Sequence, residues 1–217
     1  TTEIYTLSLH DALPILMRIK SLPWRTIGFS ILLFLGSWAG VARAQDAVPP
    51  IALDKPLIAY WKFDEDLGSG RLQDASGHPG MAVSVTTSLT SQRGIFDNAL
   101  FFSGKNALKT GGFGLTELPE FSICAWVRPT DLKGFQEIYR QENDKRVLFS
   151  FQNDGSVLSL GLNVGGYAEC DGALDAARVK DGAWHHAAGV FDGKTMRVYW
   201  DGQGIGELPR PGKLALE

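Results

Sequence analysis

Cysteine is nearly absent. The 217 residues hold two, Cys124 and Cys170, and neither belongs to a CxxC or CxxCH. That argues against a zinc ribbon and a c-type haem. In an oxidising compartment the two thiols would be free to pair, and otherwise they are two buried, unpaired cysteines; the spacing leaves both open. Basic charge is also scarce: the formal net charge is −3 at pH 7 and no Lys/Arg stripe occurs, which argues against a nucleic-acid partner. Long apolar runs are limited to one, Ile27 to Ala42, whose 16 uncharged residues fall short of the roughly 20 needed to span a bilayer. Neither GxSxG nor GxxxxGK[ST] occurs. The Gly-rich "KTGGFG" (Lys109–Gly114) lies between strand-like runs with no helix after it, so it reads as a loop. Sustained helical periodicity is missing as well.

What is there begins with a leader pattern. Met17 opens "MRIKSLPWRTIGFSILLFLGSWAGVARAQDA": Arg18, Lys20 and Arg25 supply a basic start, the apolar run follows, and Ala42-Arg43-Ala44 ends in small residues. This is the layout of a signal peptide over 17–44, with cleavage expected between Ala44 and Gln45 and an exported product. Residues 1–16, "TTEIYTLSLHDALPIL", precede that methionine and resemble translated adapter sequence, so they are expected to be a spurious extension. Residues 45–56 form a Pro-containing linker, and 57–217 are left as the folded domain. Beyond residue 44 the count is 17 Lys+Arg against 22 Asp+Glu, a net charge near −5 that suits sugar or calcium better than polyanions.

The domain reads as short apolar or alternating runs separated by turn residues: Leu57–Phe63, Met81–Val85, Ala99–Ser103, Phe121–Val127, Val147–Phe151, Val157–Leu162, Trp184–Phe191 and Met196–Trp200. Asp154-Gly155, Asp192-Gly193 and Asp201-Gly202 each end such a run, and Asp-Gly suits a type I′ hairpin because both central residues need positive φ. The first predicts pairing of Val147–Phe151 with Val157–Leu162, the second of Trp184–Phe191 with Met196–Trp200. The best helical stretch, Ala173–Gly182, is worth one turn or a loop. The pattern predicts an all-β fold, a two-sheet antiparallel sandwich or jelly roll. In "FSICAWV", Phe121, Ile123, Ala125 and Val127 share one face and Cys124 and Trp126 the other. A strand apolar on both sides is central or lines a binding surface. In "WHHAAGVFDG", the adjacent histidines His185 and His186 must point to opposite faces, so they cannot converge on one metal or one proton.

Four segments in order, "LIAYWKFDEDLGSGRLQDASGHPG" (Leu57–Gly80), "ALFFSGKNALKT" (Ala99–Thr110), "FSICAWVRPT" (Phe121–Thr130) and "WHHAAGVFDGKTMRVYWDGQ" (Trp184–Gln203), resemble a bacterial laminin G-like domain of the concanavalin A-like lectin/glucanase superfamily. "RVLFSFQNDGSVLSLGLNVGGYAECDG" is also similar to such domains in large exported proteins of planctomycete-type bacteria. The resemblance implies a jelly roll in which one curved sheet forms a binding groove, and a module that binds carbohydrate or another extracellular ligand. A protein-contacting adhesion module and an accessory domain of an enzyme are the alternatives. Domains of this kind close with a "DDVRIYxRALS"-like segment; "GELPRPGKLALE" has none, so the jelly roll is expected to be truncated at its C-terminus.

A glucanase of that superfamily would need an ExDxE arrangement on one strand, so that period-2 alternation points three carboxylates into the groove. Asp64-Glu65-Asp66 are consecutive, and Glu137 and Glu142 are five apart, so neither set shares a face, and no enzyme is expected. For calcium, Asp64, Glu65 and Asp74 lie in turn-rich sequence where carbonyls add ligands, and "DASG" (Asp74–Gly77) resembles the family's rim loop. The competing reading is an Asx-turn at Asp74. For sugar, the candidate platforms are Tyr139, Tyr167 and Trp200, with Arg140 and Asn163 as polar companions; Trp61 and Arg128 are weaker candidates. Trp61, Trp126 and Trp184 read as sandwich core.

Overall fold

A computed structural model describes residues 57–64, 71–76, 83–85, 89–104, 107–110, 115–141 and 146–216. The leader, the linker and the first 16 residues lie outside them, as does Glu65.

Six short strands come first, β1 (Arg71–Leu72), β2 (Val83–Val85), β3 (Thr90–Arg93), β4 (Asn98–Phe101), β5 (Leu108–Thr110) and β6 (Glu117–Leu118), and then the long β7 (Phe121–Val127). They are followed by β8 (Gln136–Gln141), β9 (Val147–Gln152), β10 (Val157–Asn163), β11 (Tyr167–Ala173), the one-turn helix α1 (Ala176–Val179), β12 (His185–Phe191), β13 (Thr195–Trp200), β14 (Gln203–Pro209) and β15 (Leu214–Ala215). Two four-stranded antiparallel sheets dominate, ordered β11-β10-β9-β8 and β14-β13-β12-β7, with the smaller β1-β2-β5, β15-β6 and β3-β4 assemblies beside them.

The sheets face each other across one apolar core. Val147, Phe149, Phe151, Leu158, Leu160 and Leu162 come from one sheet; Ala125, Val127, Ala187, Phe191, Met196 and Val198 come from the other. Strict alternation produces this. In β12 the odd residues His185, Ala187, Gly189 and Phe191 turn inward, while His186, Ala188 and Val190 stay half-buried on the outer face. Each large side chain sealed here contributes roughly 1.5–3 kcal/mol. A second cluster, Phe63, Leu72, Leu100 and Phe102, gathers the segments before β7. At the edge where β14 meets β11, a Cβ on Gly206 would lie 2.5 Å from the backbone oxygen of Asp171, so only glycine permits that approach.

The hairpins follow the sequence in pairing and differ from it in turn type. β9 pairs with β10, and β12 with β13, antiparallel as expected. Only Asp201-Gly202 makes the two-residue turn: Trp200 faces Gln203, and both turn residues have positive φ, 48° and 76°. The other two connections are longer. Gln152 faces Val157 across a 3-10 turn at Asn153–Gly155, and Phe191 faces Met196. In the latter loop the Asp192 carboxylate accepts the amides of Lys194 and Thr195, at 2.9 and 2.8 Å, which holds the wider turn in place of an I′ geometry. Residues 57–64 form no strand, contrary to the apolar run there. Strands β8 and β11 lie in segments where no strand was expected; they mix charges with glycine or aromatics, which hides their alternation.

Both cysteines are free. Cys170 points into the core, and Cys124 lies on the outer face of β7 in the opposite sheet, so they do not pair.

Candidate functional site

The outer face of the β8–β11 sheet carries the densest polar chemistry among the described residues. Register creates it. Glu137, Ser150, Ser159 and Asp171 stand in one row across four strands; Arg140, Leu148, Gly161 and Glu169 stand in the next. Glu169 and Asp171 flank Cys170 in β11, and because Cys170 turns into the core, both carboxylates turn out, where both are exposed.

Tyr167 covers one end of this face. Its ring lies across Gly161: a Cβ there would sit 2.2 Å from the Tyr167 hydroxyl oxygen, so the missing side chain makes room for the aromatic. Tyr167 remains 38% exposed. Its hydroxyl donates to Glu169 Oε1 at 2.7 Å, and the Arg146 guanidinium lies 5.5 Å from the ring centroid. Burial and then the Glu169 carboxylate push the Tyr167 hydroxyl up to about 12, so it stays a donor at every physiological pH. Glu169 Oε2 accepts from Gln152 Nε2 at 3.0 Å and from Ser159 Oγ at 3.4 Å. Burial alone would raise the Glu169 carboxyl, but donation from Gln152, Tyr167 and Ser159 and the charge of Arg146 outweigh it and hold it below the usual carboxylate value. The single Ser159 hydroxyl proton is shared with Asp171 Oδ1, which lies closer at 2.6 Å. On β8, Arg140 donates to Glu137. Beneath them the buried Ser150 Oγ has no hydrogen-bond partner among the described residues.

Of the residues singled out in the sequence, Tyr167 and Arg140 lie on this face. Tyr139 does not: it stands opposite Phe149 in the register, packs against the core, and burial pushes its hydroxyl up to about 12. Trp200 is also held by packing, stacked on His185 with centroids 4.7 Å apart and set edge-on to Phe151 at 5.8 Å. Asn163 Oδ1 accepts the amide of Gly166 at 3.2 Å and so shapes the β10–β11 turn. Trp61 packs against the cluster before β7. Glu169, Asp171, Ser159 and Gln152 carry the face and were not singled out. The pattern Glu169-Cys170-Asp171 held the signal, since two carboxylates around one apolar residue share a face of any strand.

The calcium set is not assembled by the described residues. Asp74 Oδ1 accepts the amides of Tyr60 and Ser76, both at 2.8 Å, and Oδ2 accepts Ser76 Oγ at 2.8 Å; this is an Asx-turn with a long-range tie. Asp64 Oδ1 accepts the amide of Asn98 at 3.2 Å. No group of three or more His, Cys, Asp or Glu positioned for a metal occurs among the described residues, and Glu65 lies outside them.

The histidine pair diverges. His185 Nδ1 lies 2.8 Å from Asp201 Oδ2 and Nε2 lies 3.2 Å from Asp181 Oδ1, pinning the loop before β12 to the β13–β14 turn. His186 sits outside, edge-on to Trp126 at 5.2 Å, and burial lowers its pKa despite the pull of Asp201.

Against known proteins, residues 102–216, just over half the chain, match the family model Laminin_G_3, described as concanavalin A-like lectin/glucanases superfamily. Among solved structures, the chain is similar to domain 4 of AbnA, a GH43 extracellular arabinanase from Geobacillus stearothermophilus, in complex with arabinotriose. The identity is 16%, the match covers 69% of this chain and 79% of that one, and the TM-score is 0.47. No curated protein sequence matches.

Proposed function

Because the chain belongs to the concanavalin A-like lectin/glucanases superfamily, we propose that it is a non-catalytic carbohydrate-binding module whose binding face is the outer surface of β8–β11. The observation that carries this reading is the Tyr167 ring lying over Gly161 beside the Glu169 and Asp171 carboxylates. A sugar ring offers an apolar C–H face and a fringe of hydroxyl donors. A partly exposed aromatic takes the first and carboxylate oxygens take the second.

The same chemistry disfavours hydrolysis. Glycoside cleavage needs one carboxylic acid whose pKa is raised so that it holds a proton for the leaving group. Glu169 is shifted the opposite way, and its oxygens already accept from Tyr167, Gln152 and Ser159. Asp171 accepts from Ser159. These are acceptor sites suited to holding hydroxyls. The leader pattern of residues 17–44 supports action outside the cytoplasm.

A glycan array probed with the whole chain tests the reading, followed by incubation of any bound oligosaccharide and analysis of its length. The expected result is retention on neutral hexose or pentose glycans with no shortening. Release of shorter sugars would overturn the non-catalytic assignment, and a blank array would overturn the binding assignment.

A further inference from the structure

A second polar pocket lies away from that face, between the β3–β4 hairpin and the start of β12, and shares none of its residues. The register places Val127 opposite His185, which sets Arg128 and Trp184, the next residues outward, across from each other. The Arg128 guanidinium carbon lies 5.2 Å from the centre of the Trp184 ring, and its Nη2 donates to Gln92 Oε1 at 3.3 Å. Phe101 and the buried Leu100 supply an apolar wall, and Thr130 adds a hydroxyl at the rim.

What distinguishes this pocket is charge without an answer. Apart from the Gln92 contact, the guanidinium N–H groups of Arg128 have no hydrogen-bond partner among the described residues, and no carboxylate lines the pocket. A guanidinium is always charged and presents a planar fork that matches a carboxylate with two parallel hydrogen bonds. Stacking on Trp184 fixes the plane of that fork, so little side-chain freedom is lost when it is engaged. Because Gln92 Oε1 already accepts from Arg128, its amide nitrogen is left to donate, which with Thr130 offers partners to hydroxyls beside the acid. The Phe101 wall faces the C–H side of a small ring.

We propose that this pocket binds a carboxylate-bearing sugar, a uronic acid, with the carboxylate on Arg128 and the ring against Phe101. The selection is by charge, in contrast to the acceptor-rich β8–β11 face, so the two surfaces take different sugars.

The test titrates sodium galacturonate and neutral galactose against the whole chain at fixed ionic strength, following tryptophan fluorescence. Galacturonate is expected to bind saturably in the millimolar range, at least tenfold more tightly than galactose. Arg128→Gln should bring the two sugars to within about twofold of each other. Arg128→Lys, which keeps the charge and the tie to Gln92 but loses the fork, should weaken galacturonate several-fold and serves where the glutamine variant does not fold. Tyr167→Ala, which removes the aromatic of the β8–β11 face and no residue of this pocket, should leave galacturonate binding unchanged. Equal binding of the two sugars to the unmodified chain, or absence of galacturonate binding, would overturn the proposal. So would a preference that survives Arg128→Gln, or galacturonate binding that is lost in Tyr167→Ala.

Discussion

Tyr167 and Glu169 act as a unit, and their substitutions separate stacking from hydrogen bonding. Tyr167→Phe keeps the ring over Gly161 and removes the hydroxyl that donates to Glu169 at 2.7 Å. Affinity for a bound oligosaccharide should fall about two- to twelvefold, since one net hydrogen bond is worth roughly 0.5–1.5 kcal/mol. Glu169 also leaves a mark on stability. Its carboxyl is held below the usual value in the folded chain, so the ionised form stabilises the fold above that usual value, and the contribution fades as pH falls through the acid range. Glu169→Gln should therefore flatten the drop in melting temperature between pH 6 and pH 3, read by circular dichroism; an unchanged slope would contradict the assignment. Tyr167 was legible in the sequence because it follows the Gly165-Gly166 pair in a run of exposed polarity. Glu169 and Asp171 were not, because the inward orientation of Cys170 between them appears only once β11 is paired with β10.

At the level of elements, the β13–β14 hairpin does more than reverse the chain. Asp201 sits in the turn at φ 48°, accepts the amide of His186 at 2.8 Å and binds His185 Nδ1 at 2.8 Å. One turn residue thus fixes the start of β12, the strand that centres the second sheet. Asp201→Ala should cost about 1–3 kcal/mol in chemical denaturation, from lost acceptors and from alanine at positive φ. Asp201→Asn, which tolerates that φ and keeps an acceptor, should recover part of it. Equal stability of all three would show that the turn holds nothing. The Asp-Gly pair revealed this hairpin in advance. It did not reveal that Asp192-Gly193 would open wider, since that depends on the Asp192 carboxylate capturing two backbone amides and ion-pairing with Arg197 at 2.6 Å. Local turn chemistry is readable from residue type, whereas competition from a side chain three to five residues away is not.

At the scale of the molecule, the described residues form a sandwich with its main core between two four-stranded sheets and a smaller apolar cluster before β7. Period-2 alternation in β7, β9, β10, β12 and β13 made the sandwich legible, because an apolar face must be buried against another sheet. Phe149, fully buried in the middle of that core, should cost about 3–5 kcal/mol when changed to alanine, read as a loss of denaturation midpoint. The edge strands β8 and β11 of the proposed binding face were the hardest to read, and for a physical reason: a strand whose outer side carries carboxylates, an arginine or a tyrosine shows little of the apolar pattern that marks a strand. The central claim is that this face holds sugar through Tyr167. Isothermal titration of neutral hexose and pentose oligosaccharides into the unmodified chain and into Tyr167→Ala measures it directly. The account predicts saturable binding by the unmodified chain and a loss of about tenfold or more in the variant, about 1.4 kcal/mol. Equal affinity in both proteins, or no heat with any oligosaccharide, would contradict it.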